Sequence, residues 1–322
     1  MRYNELGKTG IKISEIGFGA WGIGGAAGDG PNSYGKTDDN ISKDALRRAY
    51  DEGITFFDTA DIYGYGHSEE LIGEELRDVR DKIVIATKVG SVEHGGPEDI
   101  KDFSIEHIRS AIRESLKRLK TDYIDLYQLH SPDLGVIRNN PDILEVFNEF
   151  KKEGLIRDFG ISIDNPNDGV AAIEEFGFNS IQVNLNMIDI RAIENGFLEL
   201  ATERGVGVIA RTPLAFGFLT GKIESLNFGD QDHRSKWPRE QLELWANAYK
   251  SFAPIREKLN LTPVQIALLF CVSVPGISSV IPGILAPEEA SENASISSLN
   301  KLSEEDINLV KKIYSENTFF KK

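Results

Sequence analysis

Eight short and nearly continuous apolar runs recur along this chain, and they constrain its fold more than any other feature. Their apolar residues follow one another rather than alternating with polar ones, which is typical of parallel strands that are covered on both faces. Stretches with helical periodicity separate the runs. The runs occupy residues 15–19, 54–58, 83–88, 123–130, 156–162, 180–184, 205–211 and 276–282.

The segments between the runs carry apolar residues at spacings of three and four. In the clearest segment, one helix face is shared by Ile105, Ile108, Ile112, Leu116 and Leu119. The other helical segments lie at residues 42–52, 68–78, 141–152, 167–176, 195–204, 240–259 and 286–294.

This succession of elements predicts a barrel. Eight strand-then-helix units are the number found in a TIM barrel, and no linker-like stretch divides them. We therefore predict an α/β fold, a (β/α)8 TIM barrel that forms a single domain over residues 1–322. Three segments exceed a minimal barrel. They are long mouth loops at 22–39 and 212–239, and an added C-terminal helix whose N-cap is Ser303.

A glycine pattern after the first strand offers a competing interpretation. Residues 17–22 match G-x-G-x-x-G, the fingerprint of a dinucleotide-binding fold, which also requires a helix to start inside the pattern. The residues that follow are too rich in glycine, with Pro31 and Asn32 among them, to begin a helix. We interpret the glycines, including Gly19, as positions where the backbone approaches a ligand at the barrel mouth.

Composition excludes several classes of function. The formal charge of −15 argues against a nucleic-acid partner, because such a partner needs a clustered basic surface. The single cysteine, Cys271, stands in an apolar run, which predicts a buried structural thiol and fits the reducing cytoplasm. The first residues lack the apolar segment of a signal peptide, and no run is long enough to span a bilayer. The histidines lack metal-ligand spacing, so we expect no metal site.

Four residues with proton-transfer chemistry stand where predicted strands end. Asp58, Lys88 and His130 close strands two, three and four, and Tyr63 follows in the loop after Asp58. The carboxyl ends of barrel strands all face the active site, so we expect these side chains to meet. A tyrosine is a weak acid unless a cation stabilises its phenolate, and Lys88 can supply that cation while Asp58 holds it. With His130 beside a carbonyl oxygen, the group would donate a proton to that oxygen.

Longer motifs around these residues resemble the aldo-keto reductase superfamily. They are DTADIYGYGHSEELIGEEL, IATK and TDYIDLYQLH, together with LGKTGIKISEIGFGAWGIGG, RTPLAFGFLTGK and IPGILAPEEASEN, which are similar to the longer bacterial and archaeal-type members. The resemblance implies NAD(P)-dependent reduction of an aldehyde or ketone, or the reverse oxidation of an alcohol. Hydride would come from the nicotinamide and the proton from Tyr63. Lys88 and Asp58 would tune the tyrosine, and His130 would position the carbonyl.

The resemblance also implies a set of cofactor contacts. Ser162 and Gln182 match positions that bond the nicotinamide carboxamide, and Arg211 stands where many members stack an aromatic ring on the nicotinamide. Residues 212–217 resemble the loop that covers the pyrophosphate. The substrate pocket would include Trp21, Tyr63 and His130. The cofactor set is Gly19, Ala20, Trp21, Asp58, Ser162, Gln182, Arg211, Thr212, Pro213, Leu214, Ala215, Phe216, Gly217, Lys222, Arg234, Gly283, Leu285, Glu289, Glu292 and Asn293.

Two departures from the family pattern bear on the cofactor. Ile163 replaces an asparagine that usually contacts the carboxamide. Where NADP-preferring members place a basic or hydroxyl residue near the 2′-phosphate, this chain has Leu285 and Glu289. A glutamate there can accept from a ribose 2′-hydroxyl, which favours NAD, although Lys222 and Arg234 can still supply positive charge. The resemblance slightly favours NADP, and the local residues keep NAD as an alternative.

Two other functions remain open from the sequence. A lysine at a barrel strand end can form a Schiff base as in aldolases, although the neighbouring phenol disfavours this interpretation for Lys88. A nicotinamide-binding regulatory subunit resembling the potassium-channel β subunits would share the fold and much of the residue set. Residue types identify the substrate only as a small-molecule carbonyl or alcohol, and they leave the oligomeric state open.

Overall fold

The computed structural model describes residues 1–26, 30, 32–93 and 99–321, and its central element is the predicted barrel. An antiparallel hairpin of β1 (Tyr3–Glu5) and β2 (Lys12–Ser14) precedes it. A second hairpin, β6 (Ser91–Glu93) with β7 (Ile100–Lys101), extends from one strand end. The barrel strands are β3 (Phe18–Gly19), β4 (Phe56–Asp58), β5 (Val84–Val89), β8 (Ile124–His130), β9 (Ile156–Ile163), β10 (Ser180–Asn184), β11 (Gly207–Arg211) and β12 (Ile277–Ile281).

Each barrel strand pairs in parallel with the next one along the chain, and the last returns to the first. The order is β3, β4, β5, β8, β9, β10, β11 and β12. Gly17 N–H donates to the carbonyl oxygen of Val280 at 2.8 Å, and Gly19 N–H donates to that of Pro282 at 2.9 Å. These bonds close the sheet, so the carboxyl ends of all eight strands surround a common space.

Two apolar layers hold the barrel. Its interior contains a buried cluster in which Leu6 and Ile13 of the first hairpin meet Phe56, Leu126 and Ile209 of the strands. Lys8 N–H donates to the carbonyl oxygen of Gly205, just before β11, so the hairpin covers the amino-terminal end of the barrel. A second and larger cluster fills the space between the strands and the surrounding helices.

The helices alternate with the strands, and most begin and end close to the predicted positions. They are α1 (Asp39–Asp51), α2 (His67–Glu75), α3 (Ile105–Arg118), α4 (Leu134–Asn139), α5 (Asp142–Glu153), α6 (Asp168–Glu174), α7 (Arg191–Glu194), α8 (Phe197–Arg204), α9 (Arg239–Ser251), α10 (Ala253–Lys258), α11 (Pro263–Ser273), α12 (Pro287–Ser295) and α13 (Glu304–Glu316).

One helix assignment was wrong. The segment 240–259 is divided into α9 and α10, with Pro254 in the first turn of the second helix. The helix that directly precedes β12 is α11, which the sequence did not reveal. Eight of its residues are buried, so it lacks the polar face that makes a helix recognisable by periodicity. A capping box of Thr262 and Gln265 fixes its start.

The terminal helix was predicted together with its cap, and the glycine-rich segment was predicted not to begin a helix. Ser303 accepts from the N–H of Asp306 and caps α13, as predicted. No α-helix begins inside residues 17–22, where only a three-residue 3-10 turn (Gly22–Gly24) starts, and this excludes the dinucleotide fingerprint. Gly19 lines the cavity, and the structure shows a further reason for a glycine there. A Cβ at Gly19 would lie 2.9 Å from the carbonyl oxygens of Ile281 and Pro282, so this glycine permits the closure of the barrel.

Two absences hold for the described residues, one of membrane-spanning helices and one of metal-binding clusters. None of the helices in these residues has both the length and the apolar character needed to cross a membrane. The same residues contain no group of three or more His, Cys, Asp or Glu side chains placed to hold a metal ion. Cys271 is buried, and burial raises the pKa of its thiol far above the usual range, as expected for a structural residue.

Candidate active site

The four residues predicted to form a proton-transfer site lie together at the carboxyl ends of neighbouring strands. Asp58, Lys88 and His130 end or nearly end β4, β5 and β8, which are adjacent in the sheet. Tyr63 begins a short turn after β4, in which Gly64 and Tyr65 have positive φ angles of 60° and 52°. This turn returns the phenol over the strand ends.

Lys88 connects the carboxylate to the phenol. Its Nζ donates to Asp58 Oδ1 at 2.5 Å, to the carbonyl oxygen of Thr59 at 2.7 Å and to Tyr63 Oη at 3.2 Å. The lysine is fully buried, and Asp58 nearly so. Burial alone would lower the pKa of Lys88, but the negative charge of Asp58 and the contact with Tyr63 more than offset it, so the pKa is raised. The ammonium therefore remains charged beside the phenol.

The second carboxylate oxygen of Asp58 is held by two amides. Gln182 Nε2 donates to Asp58 Oδ2 at 2.7 Å, and Gln128 Nε2 donates to the same oxygen at 3.2 Å. Gln182 was predicted to lie in the site, whereas Gln128 was not identified. A signal was present in the sequence, because Gln128 is an amide within an apolar strand and lies two residues before His130 on the same face.

His130 lies on the other side of the phenol. Its ring meets the ring of Tyr63 edge to face, with centroids 5.8 Å apart. It is half-buried and lines the same cavity as Tyr63. A carbonyl oxygen that reached the hydroxyl of Tyr63 from this cavity would pass close to the imidazole.

A cavity of about 680 Å³ opens above these residues and extends across the mouth of the barrel. Most of the predicted cofactor residues lie in its wall. Two do not. Ser162 is buried and donates through its hydroxyl to Gln182 Oε1 at 3.4 Å, and Ala215 is buried in the loop after β11. In this conformation Ser162 can act on a ligand only through Gln182. The predicted residues in the wall are Gly19, Ala20, Trp21, Asp58, Tyr63, His130, Gln182, Arg211, Thr212, Pro213, Leu214, Phe216, Gly217, Lys222, Arg234, Gly283, Leu285, Glu289, Glu292 and Asn293.

Other wall residues were missed because they come from segments without a regular pattern. The hairpin of β6 and β7 brings Lys101 to the rim, where its ammonium donates to the carbonyl oxygen of Ser131. Asp164 follows β9, and Arg211 Nη2 donates to its Oδ1 at 2.6 Å. The guanidinium predicted to stack on a cofactor is thereby tied to the cavity wall. Residues 94–98, including His94, lie outside the described residues.

At the far end of the cavity, two cations are each paired with a carboxylate. Lys222 Nζ lies 2.8 Å from Glu292 Oε2. Arg234 makes an ion pair of 2.6 Å with Asp232, and its guanidinium carbon lies 4.3 Å from the ring centroid of Phe228. Glu289 Oε2 accepts from the N–H of Leu285 at 2.7 Å, which fixes this carboxylate in the cavity wall.

Two mouth loops meet over the cavity and form what we term the clasp, composed of Trp21, Ser33, Tyr34, Asp232 and His233. His233 N–H donates to the carbonyl oxygen of Ser33 at 2.8 Å. The His233 ring lies 4.5 Å from that of Trp21 and 5.0 Å from that of Tyr34, all measured between centroids. The clasp therefore joins the two loops, and Trp21, Tyr34 and His233 line the cavity.

A (β/α)8 barrel with a cluster of polar side chains at the carboxyl ends of its strands is typical of an enzyme. Comparisons with known proteins identify the family. Residues 15–315 match the model of the Aldo/keto reductase family. The chain therefore belongs to the aldo/keto reductase family, and it is an NAD(P)-dependent oxidoreductase that acts on carbonyl compounds and alcohols.

Similar proteins cover nearly the whole chain. The uncharacterized oxidoreductase YqkF of Bacillus subtilis (strain 168) is 35% identical over 314 residues, which are 95% of this chain and 94% of the relative. An NADH-specific methylglyoxal reductase of Escherichia coli (strain K12) is 31% identical over 327 residues, covering 97% and 98%. Among solved structures, the holo form of aldo-keto reductase AKR11C1 from Bacillus halodurans has a TM-score of 0.78 and 28% identity, with 97% and 96% covered.

Proposed function

We propose that Tyr63 donates the proton in carbonyl reduction and that Lys88, Asp58 and His130 serve it. The observation that carries this assignment is the contact of 3.2 Å between Lys88 Nζ and Tyr63 Oη, made by a buried ammonium held on Asp58. As the carbonyl oxygen gains charge, the phenol gives it a proton, and the ammonium stabilises the phenolate that remains. His130 donates to the same oxygen and fixes its direction.

When the cofactor is bound, it supplies the hydride that reduces the carbonyl carbon. The cavity wall fits a nicotinamide dinucleotide. Gln182, beside Asp58, presents a carboxamide near the catalytic residues. At the other end, Asn293 Nδ2 is buried and has no hydrogen-bond partner among the described residues, although the side chain lies in the wall. A buried donor without a partner is suited to a ring nitrogen of the adenine. Between them, residues 212–217 would cover the pyrophosphate.

We further propose that NADH is the preferred cofactor, which departs from the slight preference for NADP that the resemblance implies. The carboxylate of Glu289 is fixed in the wall by Leu285, and its second oxygen can accept from a ribose hydroxyl. The two cations predicted to serve a 2′-phosphate, Lys222 and Arg234, have carboxylate partners at 2.8 and 2.6 Å. A phosphate would have to break those ion pairs and lie near Glu289.

Cofactor choice is measured by titrating the protein separately with NADH and NADPH and following the quenching of tryptophan fluorescence. Trp21 and Trp237 line the cavity and report binding. We expect the dissociation constant of NADH to be lower by about ten-fold or more, because an unneutralised phosphate beside a carboxylate costs more than 1 kcal/mol. Tighter binding of NADPH would show that Lys222 and Arg234 leave their carboxylates for the phosphate.

The substrate is a small carbonyl compound or alcohol, and turnover identifies its class. Aldoses, polyols, aromatic aldehydes and methylglyoxal are each supplied with both cofactors, and consumption of NADH or NADPH is measured. Methylglyoxal is included because a relative is named for its reduction. Turnover of at least one carbonyl supports the enzyme, whereas cofactor binding without turnover on any compound favours the regulatory-subunit alternative. The cytoplasmic location stays a prediction from Cys271.

A further inference from the structure

Gln128 contacts the carboxylate of Asp58, and the proposed reaction gives it no role. It lies on β8 and pairs in register with Lys88 on β5, so both side chains enter the barrel at the same level. Its side chain is fully buried, and its Nε2 donates to Asp58 Oδ2 at 3.2 Å. Lys88 and Gln128 therefore hold opposite oxygens of one carboxylate.

The fold does not need an amide at this position. Gln128 Oε1 is buried and accepts no hydrogen bond from the described residues. A buried acceptor without a donor costs stability, and an apolar side chain of the same volume would avoid that cost. The neighbouring strand residues Leu126 and Leu129 are apolar and buried. Packing therefore does not account for the amide of Gln128, which points to a role in the active site.

The surroundings of Asp58 decide what the donor does. Lys88 and Tyr63 are the titratable groups closest to it, and His130 lies beyond the phenol. Asp61, in the loop before Tyr63, interacts with Lys88, and burial followed by the charge of Glu69 raises the pKa of Asp61 well above its usual range. A donor on Oδ2 adds a charge-assisted hydrogen bond to the carboxylate that Lys88 also holds. It also prevents the carboxylate from turning away from Lys88.

We propose that Gln128 is a positioning residue for the reaction: its amide keeps the carboxylate of Asp58 directed at Lys88, and thereby holds the ammonium in contact with Tyr63. The inference rests on the proposed roles of Asp58, Lys88 and Tyr63. Gln128 touches neither substrate nor cofactor in this account, and it acts only through the carboxylate.

The test compares kcat, KM and the dissociation constant of the cofactor for the wild type and Gln128→Met, which keeps the volume and removes the donor. We expect kcat to fall by about ten-fold, the size of one hydrogen bond to a charged group, while KM and the dissociation constant change by less than about two-fold. Gln128→Asn withdraws the amide by one methylene and should change kcat in the same direction. An equal loss of kcat and of cofactor affinity in both variants would mean that Gln128 only supports the structure.

A matched control shows whether the effect is specific to Gln128. Ser279→Ala removes a different buried donor, which bonds to the carbonyl oxygen of Ser14 in β2, and should leave kcat unchanged. An equal loss of kcat in Ser279→Ala would overturn the proposal, because the effect would then be general to the barrel.

A double-mutant cycle tests the route through Asp58. If Gln128 acts only on that carboxylate, Gln128→Met should change kcat/KM by less than about two-fold in the Asp58→Asn background. Full multiplication of the two effects contradicts the inference. Tyr63→Phe separates failure of the proposed function from failure of the role of Gln128. If Tyr63→Phe remains active, the proposed function fails. If Tyr63→Phe is inactive and the effects of Gln128→Met and Asp58→Asn multiply in full, only the role of Gln128 fails.

Discussion

At the scale of single residues, the proposed site depends on charged groups that hold one another in place. Lys88 is a fully buried cation, and it remains charged because Asp58 lies 2.5 Å from it. Removal of either partner would leave the other as an uncompensated buried charge. The positions of these residues were predictable, since polar side chains at strand ends contrast with the apolar runs before them. Gln128 was overlooked although it lies two residues before His130 on the same strand face, because the partner of its amide is not visible in the sequence.

The proposed preference for NADH over NADPH also depends on single residues, among them Leu285. We expect Leu285→Arg combined with Glu289→Gln to raise the affinity for NADPH relative to NADH by about ten-fold or more, because a guanidinium can then pair with the 2′-phosphate. Glu289→Gln is included because the carboxylate would otherwise pair with the new guanidinium. Leu285→Met with Glu289→Gln is the matched control. Fluorescence titration with both cofactors gives the ratio, and an unchanged ratio would place the phosphate elsewhere.

At the scale of elements, local signals decided which helices could be foreseen. Amphipathic helices such as α3 were predicted closely, because one face is polar and the other apolar. α11 was missed because it is buried on nearly every side and therefore resembles a buried strand. The cap of α13 was readable, since Ser303 followed by an acidic turn is a helix start in any context.

That cap supports a prediction about stability. Ser303→Ala should lower the free energy of unfolding by about 1 kcal/mol at neutral pH, because it removes the capping box with Asp306. The ion pair with Lys258, and next the hydroxyl of Ser303, lower the pKa of Asp306. A lowered pKa means that this contribution is complete at neutral pH and is lost as the pH falls through the acid range.

The measurement is denaturant unfolding of Ser303→Ala beside Ser315→Ala, an exposed serine in the same helix that bonds only within it. Ser315→Ala should change stability by less than about 0.5 kcal/mol. An equal loss in both variants would remove the cap as the cause. The cofactor affinity of Ser303→Ala should match that of the wild type, since α13 does not line the cavity.

At the scale of the whole molecule, contacts between distant segments shape the cavity. The barrel itself was predictable, because eight alternating units leave few other arrangements. The clasp was not, since the contact of Ser33 with His233 joins residues 200 positions apart and neither residue type announces it. Beyond the clasp, rings pack in sequence from Phe216 at the cavity wall through Trp237 and Trp245 to Phe320 in the C-terminal tail.

This row of rings predicts that the tail steadies the cavity. Phe320 lies 5.9 Å from Trp245, between ring centroids, and Gln241 holds the tail by bonds to Phe319 and Lys321. Phe320→Ala should weaken cofactor binding by about two- to ten-fold, the value of one aromatic pair, mainly by faster release. Stopped-flow fluorescence measures the release rate. Tyr3→Ala, an exposed aromatic on the first hairpin, is the control, and equal rates in both variants would separate the tail from the cavity.

The most direct measurement of the central claim compares cofactor binding and carbonyl turnover in Tyr63→Phe. The phenol makes its hydrogen bond to Lys88 from the rim of the site, so the fold and the rest of the cavity should persist without the hydroxyl. We predict a dissociation constant for NADH within about two-fold of the wild type, and a kcat lower by about 10²- to 10⁴-fold, the range for loss of a general acid. Turnover within about ten-fold of the wild type, at unchanged cofactor affinity, would contradict the account.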